Sequence, residues 1–226
     1  MRLPGAAHTL YCADFTALTL TEKHAMLASD ALSDLELLIR SRYGIIHIDT
    51  VEEERTELLL RHVSDKLTLP FFTWSRTRGL CRDGQANGVY ETQEPGQALA
   101  HIVSSQMAGL YLFPAFDGLS SNELVVHRLK EVAAELGKRR GALVLTGTSL
   151  ELHETVRRLI AVMRLPDPAP DEFRKLIEHI ARDVGRSQAV DIALSEADEN
   201  RLLTALRGLS LHEAGKVLTR AMVEDN

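Results

Sequence analysis

Four carboxylates crowd one short stretch of this chain. Asp49-Thr50-Val51-Glu52-Glu53-Glu54 follows an apolar, β-branched run, Gly44-Ile45-Ile46-His47-Ile48, and precedes Leu59, Val63 and Leu67, spaced at intervals of four. The first run reads as a buried strand and the second as a helix with one apolar stripe. The acids therefore stand where a strand turns into a helix. Phosphate-binding α/β proteins use that junction: glycines and a lysine lead into a helix whose free N–H groups cradle the anion. Here the junction has no glycine and no lysine. The positive end of the helix faces the protein's own carboxylates, so phosphate meets repulsion. Thr50 and Glu53 have the T-x-x-E form of a capping box, which predicts a helix over 52–67.

Other reactive residue types are scattered. Arg76, Arg78 and Arg82 lie in SRTRGLCRDGQANG (75–88), a polar stretch that reads as a solvated loop or as a surface for an anion or a partner. The nine histidines form no H-E-x-x-H, and His8, Cys12 and His24 match no zinc spacing, so no metal site is expected. No G-x-S-x-G occurs, and Ser104-Ser105 and Ser120-Ser121 have no identifiable base. The two cysteines, Cys12 and Cys81, are far apart, which fits reduced thiols and a cytoplasmic location. A net charge of −6 over 226 residues argues against a dedicated nucleic-acid binder. No apolar run approaches the roughly 18 residues of a membrane span. The N-terminus has no continuous apolar core of a secretory signal.

The elements that must position these residues follow from periodicity. Ser33-Asp34 caps a helix through Leu35, Leu37, Leu38 and Ile39, which delivers the chain to the first strand. Phe71-Phe72-Thr73-Trp74 is a second strand. Pro95 opens a helix through Leu99, Ile102 and Met107, and 109–113 is a third strand. Asn122 caps a helix through Val125, Leu129, Val132 and Leu136 that ends at Gly137, with Lys138-Arg139-Arg140 at its negative end. Ala142 to Thr146 is a fourth strand. A helical stretch over 151–158 leads to a fifth, Ile160-Ala161-Val162-Met163. Alternation of strand and helix predicts a mainly parallel sheet with helices on both faces. Beyond Pro166-Asp167-Pro168-Ala169-Pro170 everything reads as helix: one stripe of Phe173, Leu176, Ile177 and Ile180, then capping boxes at Ser195/Asp198 and Ser210/Glu213.

Five strands followed by a helical lid resemble the AAA ATPase module over about residues 32–222. Leu145-Thr146-Gly147-Thr148-Ser149 is similar to the end of the fourth AAA strand, which carries a sensor residue; the resemblance implies sensor-like roles for Thr146 and Thr148. Val156 to Ile180 resembles the passage from the arginine-bearing helix through the fifth strand to the lid. GLSLHEAGKVLTRA (208–221) resembles the lid helix phrase G-h-[ST]-x-x-[DE]-A. More narrowly, DLELLIRSRYGIIHIDTVEEER (34–55) resembles the degenerate N-terminal module of the two-module AAA ATPases of the hypothetical chloroplast reading frame type. In that group a first module without a phosphate loop precedes an intact one. The implied fold is a mainly parallel, five-stranded, P-loop-type AAA core with a small C-terminal helical lid. The implied division is an extension over 1–31, a degenerate AAA-like α/β domain over 32–166 and the lid over 167–226.

Departures from the active pattern set the functional expectation. The phosphate-loop position holds Asp49, Thr50, Glu52, Glu53 and Glu54. The Walker B run, Leu110-Tyr111-Leu112-Phe113, ends in Pro114-Ala115 where an Asp-Glu pair would hold magnesium and polarise water; Asp117 comes two residues late. No cofactor of its own is expected, and ATP and magnesium only where a partner module supplies the site. Arg157 and Arg158 fall where the family carries arginines that reach a neighbour's nucleotide, so the resemblance implies an arginine finger in trans. The expected partners are other protein chains, either an intact AAA module or a second copy, and neither nucleic acid nor membrane. The expected role is a non-catalytic regulatory or assembly module. The alternatives are a weak ATP-binding, ATP-hydrolysing protein active only in an oligomer, and an adaptor that binds through the 75–88 loop.

Overall fold

The computed structural model describes residues 29–116, 122–148, 153–188 and 195–224. The chain divides into two compact units, one of them Ser29–Pro166 and the other including the chain from Asp167 onward. The first unit is built on a six-stranded sheet of order β3-β2-β4-β5-β1-β6, with β1 (Ile45–Asp49), β2 (Phe71–Ser75), β3 (Gly79–Arg82), β4 (Leu110–Phe113), β5 (Ala142–Thr146) and β6 (Ile160–Arg164). All neighbours pair in parallel except β2 with β3.

Two sets of helices sandwich the sheet because its central strands are apolar on both sides. Side chains alternate across a strand. Ile45, Trp74, Phe113, Leu143 and Leu145 join one cluster with Leu99 and Ile102 of α3 (Pro95–Ser104) and Val125, Leu129 and Val132 of α4 (Glu123–Arg139). The alternate residues Ile46, Ile48, Leu112 and Val144 are buried on the other side. There α2 (Glu53–Leu67) packs on β2 and β4 and also against α1 (Ser29–Arg40). Trp74 and Phe113 stack at 5.0 Å, and Phe72 and Tyr111 at 4.9 Å, fixing β2 against β4.

Several expectations need correction. The sheet has six strands, not five: the stretch expected as a polar loop contains β3, where Leu80 and Cys81 are buried. Gly79 makes the tight turn with φ 71°, and Thr92 holds the edge by accepting the Leu80 N–H and donating to the Val89 carbonyl. Helix α1 begins at Ser29, so Ser33-Asp34 lies inside it; Ala31, Leu35 and Ile39 form one buried stripe that carries the helix a turn earlier. The Thr50/Glu53 capping box does not form: Glu52 is the N-cap of α2 with no side-chain cap bond. Helix α4 does not end at Gly137 but runs to Arg139, with Arg140 in the left-handed region. Glycine is needed at 137 for close approach, since a Cβ there would lie 2.9 Å from the Arg42 carbonyl oxygen. The short helix before β6, α5 (Glu154–Arg157), is capped by His153. The Asn122 cap forms as expected, accepting the Leu124 N–H at 2.9 Å.

The second unit holds α6 (Pro170–Gln188), α7 (Glu196–Ala205) and α8 (Leu211–Glu224). The expected stripe of Phe173, Leu176, Ile177 and Ile180 packs with Leu203, Leu206, Leu211, Ala214 and Leu218. The Ser210/Glu213 capping box forms, Glu213 taking both the Ser210 N–H and hydroxyl at 2.9 Å and Ser210 accepting the Glu213 N–H; at Ser195 the hydroxyl accepts the Asp198 N–H and donates to the Asp198 carboxylate.

Candidate functional site

Ligands of open parallel sheets bind beyond the carboxyl ends of the strands. In this fold that edge gathers the residues singled out above from β1, β4 and β5. The β1–α2 junction is a compact turn closed by its own groups. Thr50 Oγ1 accepts the Glu52 N–H at 3.0 Å, a local turn that replaces the expected capping box. Arg55, only 4% exposed, donates Nη1 to Glu52 Oε2 at 2.8 Å and to the Pro166 carbonyl at 2.7 Å. Thr56 closes back on the Glu52 carbonyl at 2.9 Å. Asp49, at the end of β1, accepts from Arg164 Nε at 3.1 Å across the β1–β6 pair. Burial, and then the charge of Glu57, push the Glu53 carboxyl above its ordinary range. An additional anion at this turn would meet carboxylates already engaged with the cations beside them.

The ends of β4 and β5 are tied to each other. Thr146 is fully buried; its Oγ1 accepts the Ala115 N–H at 3.1 Å and its carbonyl accepts the Phe116 N–H at 2.9 Å. Pro114 and Ala115 stand at the exit of β4, Ala115 with φ 46°, and neither side chain can ligate a cation. Phe116 is fully buried and packs edge-on against Phe113 at 6.1 Å. Asp117 lies outside the described residues. Thr148 is exposed past the strand end. Among the described residues there is no group of three or more His, Cys, Asp or Glu that could hold a metal ion.

Arg157 closes α5 and Arg158 follows it, both exposed, ahead of β6 and so at the opposite edge of the sheet, where Ile160 pairs with Ile45. Arg158 Nη2 pairs with Glu154 at 2.6 Å, whereas Arg157 has no ion-pair partner among the described residues. The structure thus brings Asp49, Thr50, Glu52, Thr146, Pro114 and Ala115 to one edge of one sheet.

Three residues at this edge escaped the sequence reading. His47 Nε2 donates to the Gly147 carbonyl at 2.9 Å, linking β1 to the turn after β5. Arg55 and Arg164 neutralise the acids of the junction. A lone histidine inside an otherwise apolar strand was a legible signal; the burial of Arg55 was not.

A five-way parallel ladder with a helical unit after it, and a strand-to-helix turn at the phosphate position, define the AAA class of module. The comparisons narrow this. Residues 31–165 match the model of the "SpoVK-like AAA ATPase, N-terminal domain" and residues 171–226 that of the "SpoVK-like AAA ATPase, second domain". The chain belongs to the SpoVK-like AAA ATPase family. It is similar to the uncharacterized AAA domain-containing proteins ycf46 of Pyropia yezoensis (26% identity over 196 residues, 85% of this chain and 38% of that protein) and Guillardia theta (28% over 192 residues, 84% and 37%). The chain therefore spans less than two fifths of the length of these relatives. The resemblance to plastid reading-frame AAA proteins read from the sequence is borne out. Among solved structures the fold is similar to the replication initiator DnaA bound to AMPPCP and single-stranded DNA (TM-score 0.58, 13% identity, 94% of this chain and 67% of that one). It is also similar to PCH-2 of C. elegans (0.56, 12%, 91% and 72%) and to a katanin chain from work on its self-assembly (0.53, 18%, 91% and 67%). No described helix is long and apolar enough to cross a membrane.

Proposed function

We propose that this chain is a non-catalytic AAA module that regulates or assembles with an intact AAA ATPase, with residues 32–166 as the degenerate α/β domain and 167–226 as its lid. One observation carries the reading: the β1–α2 junction is locked by Glu52, Arg55 and the Pro166 carbonyl rather than left open with donors facing outward. The exit of β4 agrees with it. Pro114 and Ala115 supply neither a magnesium ligand nor a base, and Thr146 is bonded to that same exit. Such a module has no nucleotide of its own; ATP and magnesium belong to the partner that completes the assembly.

The contribution left to it is an arginine. Arg157 and Arg158 flank the α5–β6 turn, and Arg157 is exposed and unengaged among the described residues. A guanidinium that reaches a neighbour's phosphates neutralises transition-state charge, and such a finger is worth about 10³-fold or more in rate. The experiment is the ATPase rate of a ycf46-type protein supplying the intact module, measured with this chain and with its Arg157→Ala/Arg158→Ala variant. The reading predicts that the wild-type chain changes the rate and that the double variant assembles but loses that effect. A rate indifferent to the chain overturns the regulatory reading. A rate change that survives in the double variant overturns the finger alone.

A further inference from the structure

The opposite edge of the sheet carries a basic corner that no role in nucleotide chemistry absorbs. Helix α1 ends at Arg40 and returns through Arg42 to β1; helix α4 ends at Arg139 and returns through Arg140 to β5. Ile45 and Leu143 are paired in register, and Arg42 and Arg140 each stand three residues ahead of a member of that pair. The two corners touch: a Cβ at Gly137 would lie 2.9 Å from the Arg42 carbonyl oxygen. Both arginines have left-handed backbones, φ 65° and 61°, where glycine or asparagine is the relaxed choice. Thr68 and Gln106 take that conformation at the corners leading to β2 and β4, whereas the β1 and β5 corners carry arginine; Arg157 and Arg158, ahead of β6, stand at this same edge.

Helix dipoles do not account for these two side chains. Arg40, Lys138 and Arg139 already occupy the last turns of α1 and α4 and are paired with Glu36 and Glu135. Arg42 and Arg140 lie past the helix ends, are exposed, and have no ion-pair partner among the described residues. Around them Tyr43 is 44% exposed, and Leu37, a turn back on α1, is 62% exposed. Two unneutralised arginines in strained conformations and an adjoining exposed tyrosine, on a chain of net charge −6, are of the residue types enriched in protein-binding hot spots.

We propose that this corner, Arg42 and Arg140 with Tyr43 and Leu37, docks an acidic, leucine-containing segment of a partner protein. The arginines take its carboxylates and the tyrosine and leucine take its apolar side chain. The docking face lies on the far side of the sheet from the β1–α2 junction, so the inference does not rest on the proposed catalytic silence.

The test uses the full chain and a fluorescein-labelled peptide of glutamate and leucine, followed by anisotropy. Binding is expected to saturate, to weaken as sodium chloride rises, and to fall at least tenfold in Arg42→Gly/Arg140→Gly. That variant relieves two left-handed residues and so is expected to unfold at a higher temperature than the wild type, which separates lost binding from lost fold. Arg42→Lys/Arg140→Lys, which keeps the charge, is expected to retain most of the binding. No saturable binding, or binding unchanged in the glycine variant, overturns the proposal. So does tighter binding of anionic vesicles or of an oligonucleotide than of the peptide.

Discussion

Replacing Arg55 with methionine removes the cation that closes the β1–α2 junction while keeping a long apolar stem. The guanidinium is 2.8 Å from Glu52 Oε2, with the two side chains 4% and 13% exposed. At an effective dielectric constant near 20, that separation corresponds to a gross attraction of about 6 kcal/mol. Desolvation of both ions cancels much of this, but removing one partner of such a pair costs about 3–5 kcal/mol. Glu52 keeps some access to water, so the lower end applies, about 3 kcal/mol with the lost bond to the Pro166 carbonyl included. The assay is urea unfolding followed by the fluorescence of Trp74, the only tryptophan, which is 4% exposed and reports on the Ser29–Pro166 unit. With a slope near 2 kcal/mol/M, the midpoint should fall by about 1.5 M, and the melting temperature by about 6–12 °C. Adding Glu52→Gln to Arg55→Met should recover part of the loss, since the charge that Arg55 neutralised is removed with it. A loss below about 1 kcal/mol, or no coupling between the two sites, would refute the view of this junction as a closed clamp.

Three further outcomes follow from the same geometry. Glu36, Glu135 and Glu213 are all held below their ordinary value of 4.5, first by bonds from Lys66, from Lys138 and from the Ser210 backbone N–H respectively. Folded values below unfolded ones mean stability that is present above about pH 4.5 and lost as pH falls through the depressed values; urea midpoints taken down to about pH 3 should fall, and less steeply in Glu36→Gln. Gly44→Ala would place a Cβ 2.1 Å from the Ala133 carbonyl oxygen, so β1 and α4 must separate, and a loss of about 3 kcal/mol in the same unfolding assay is expected. Asn122→Ala removes the bond to the Leu124 N–H at the start of α4 and should cost about 1 kcal/mol, with helix content otherwise kept.

What the sequence disclosed divides by the range of the forces involved. The runs at 45–49, 110–113 and 142–146 are apolar on both faces and bounded by polar turns, so β1, β4 and β5 were legible from local pattern. The caps at Asn122, Ser195 and Ser210 were legible for the same reason, each a contact within three residues. Strand β3 was not: Gly79-Leu80-Cys81-Arg82 is too short and mixed to signal itself and exists because it pairs with β2 and is held by Thr92. The end of α4 was misplaced because Gly137 looked like a terminator, whereas its bare Cα serves a contact with Arg42, far away in sequence. At the site, the lack of glycine and lysine was plain, but the way the acids are neutralised was not. Arg55 meets a carbonyl 111 residues away, and Asp49 meets an arginine of β6. Thr146 shows the same gap: its position at the strand end was readable, its bond to Ala115 was not.

The most direct measurement is a titration of the purified full chain into fluorescent ATP with magnesium, read by anisotropy. A junction closed by Glu52, Arg55 and the Pro166 carbonyl, with Pro114 and Ala115 at the exit of β4, predicts a signal that stays flat up to millimolar chain. Saturable binding at micromolar chain, competed by unlabelled ATP, would contradict the account.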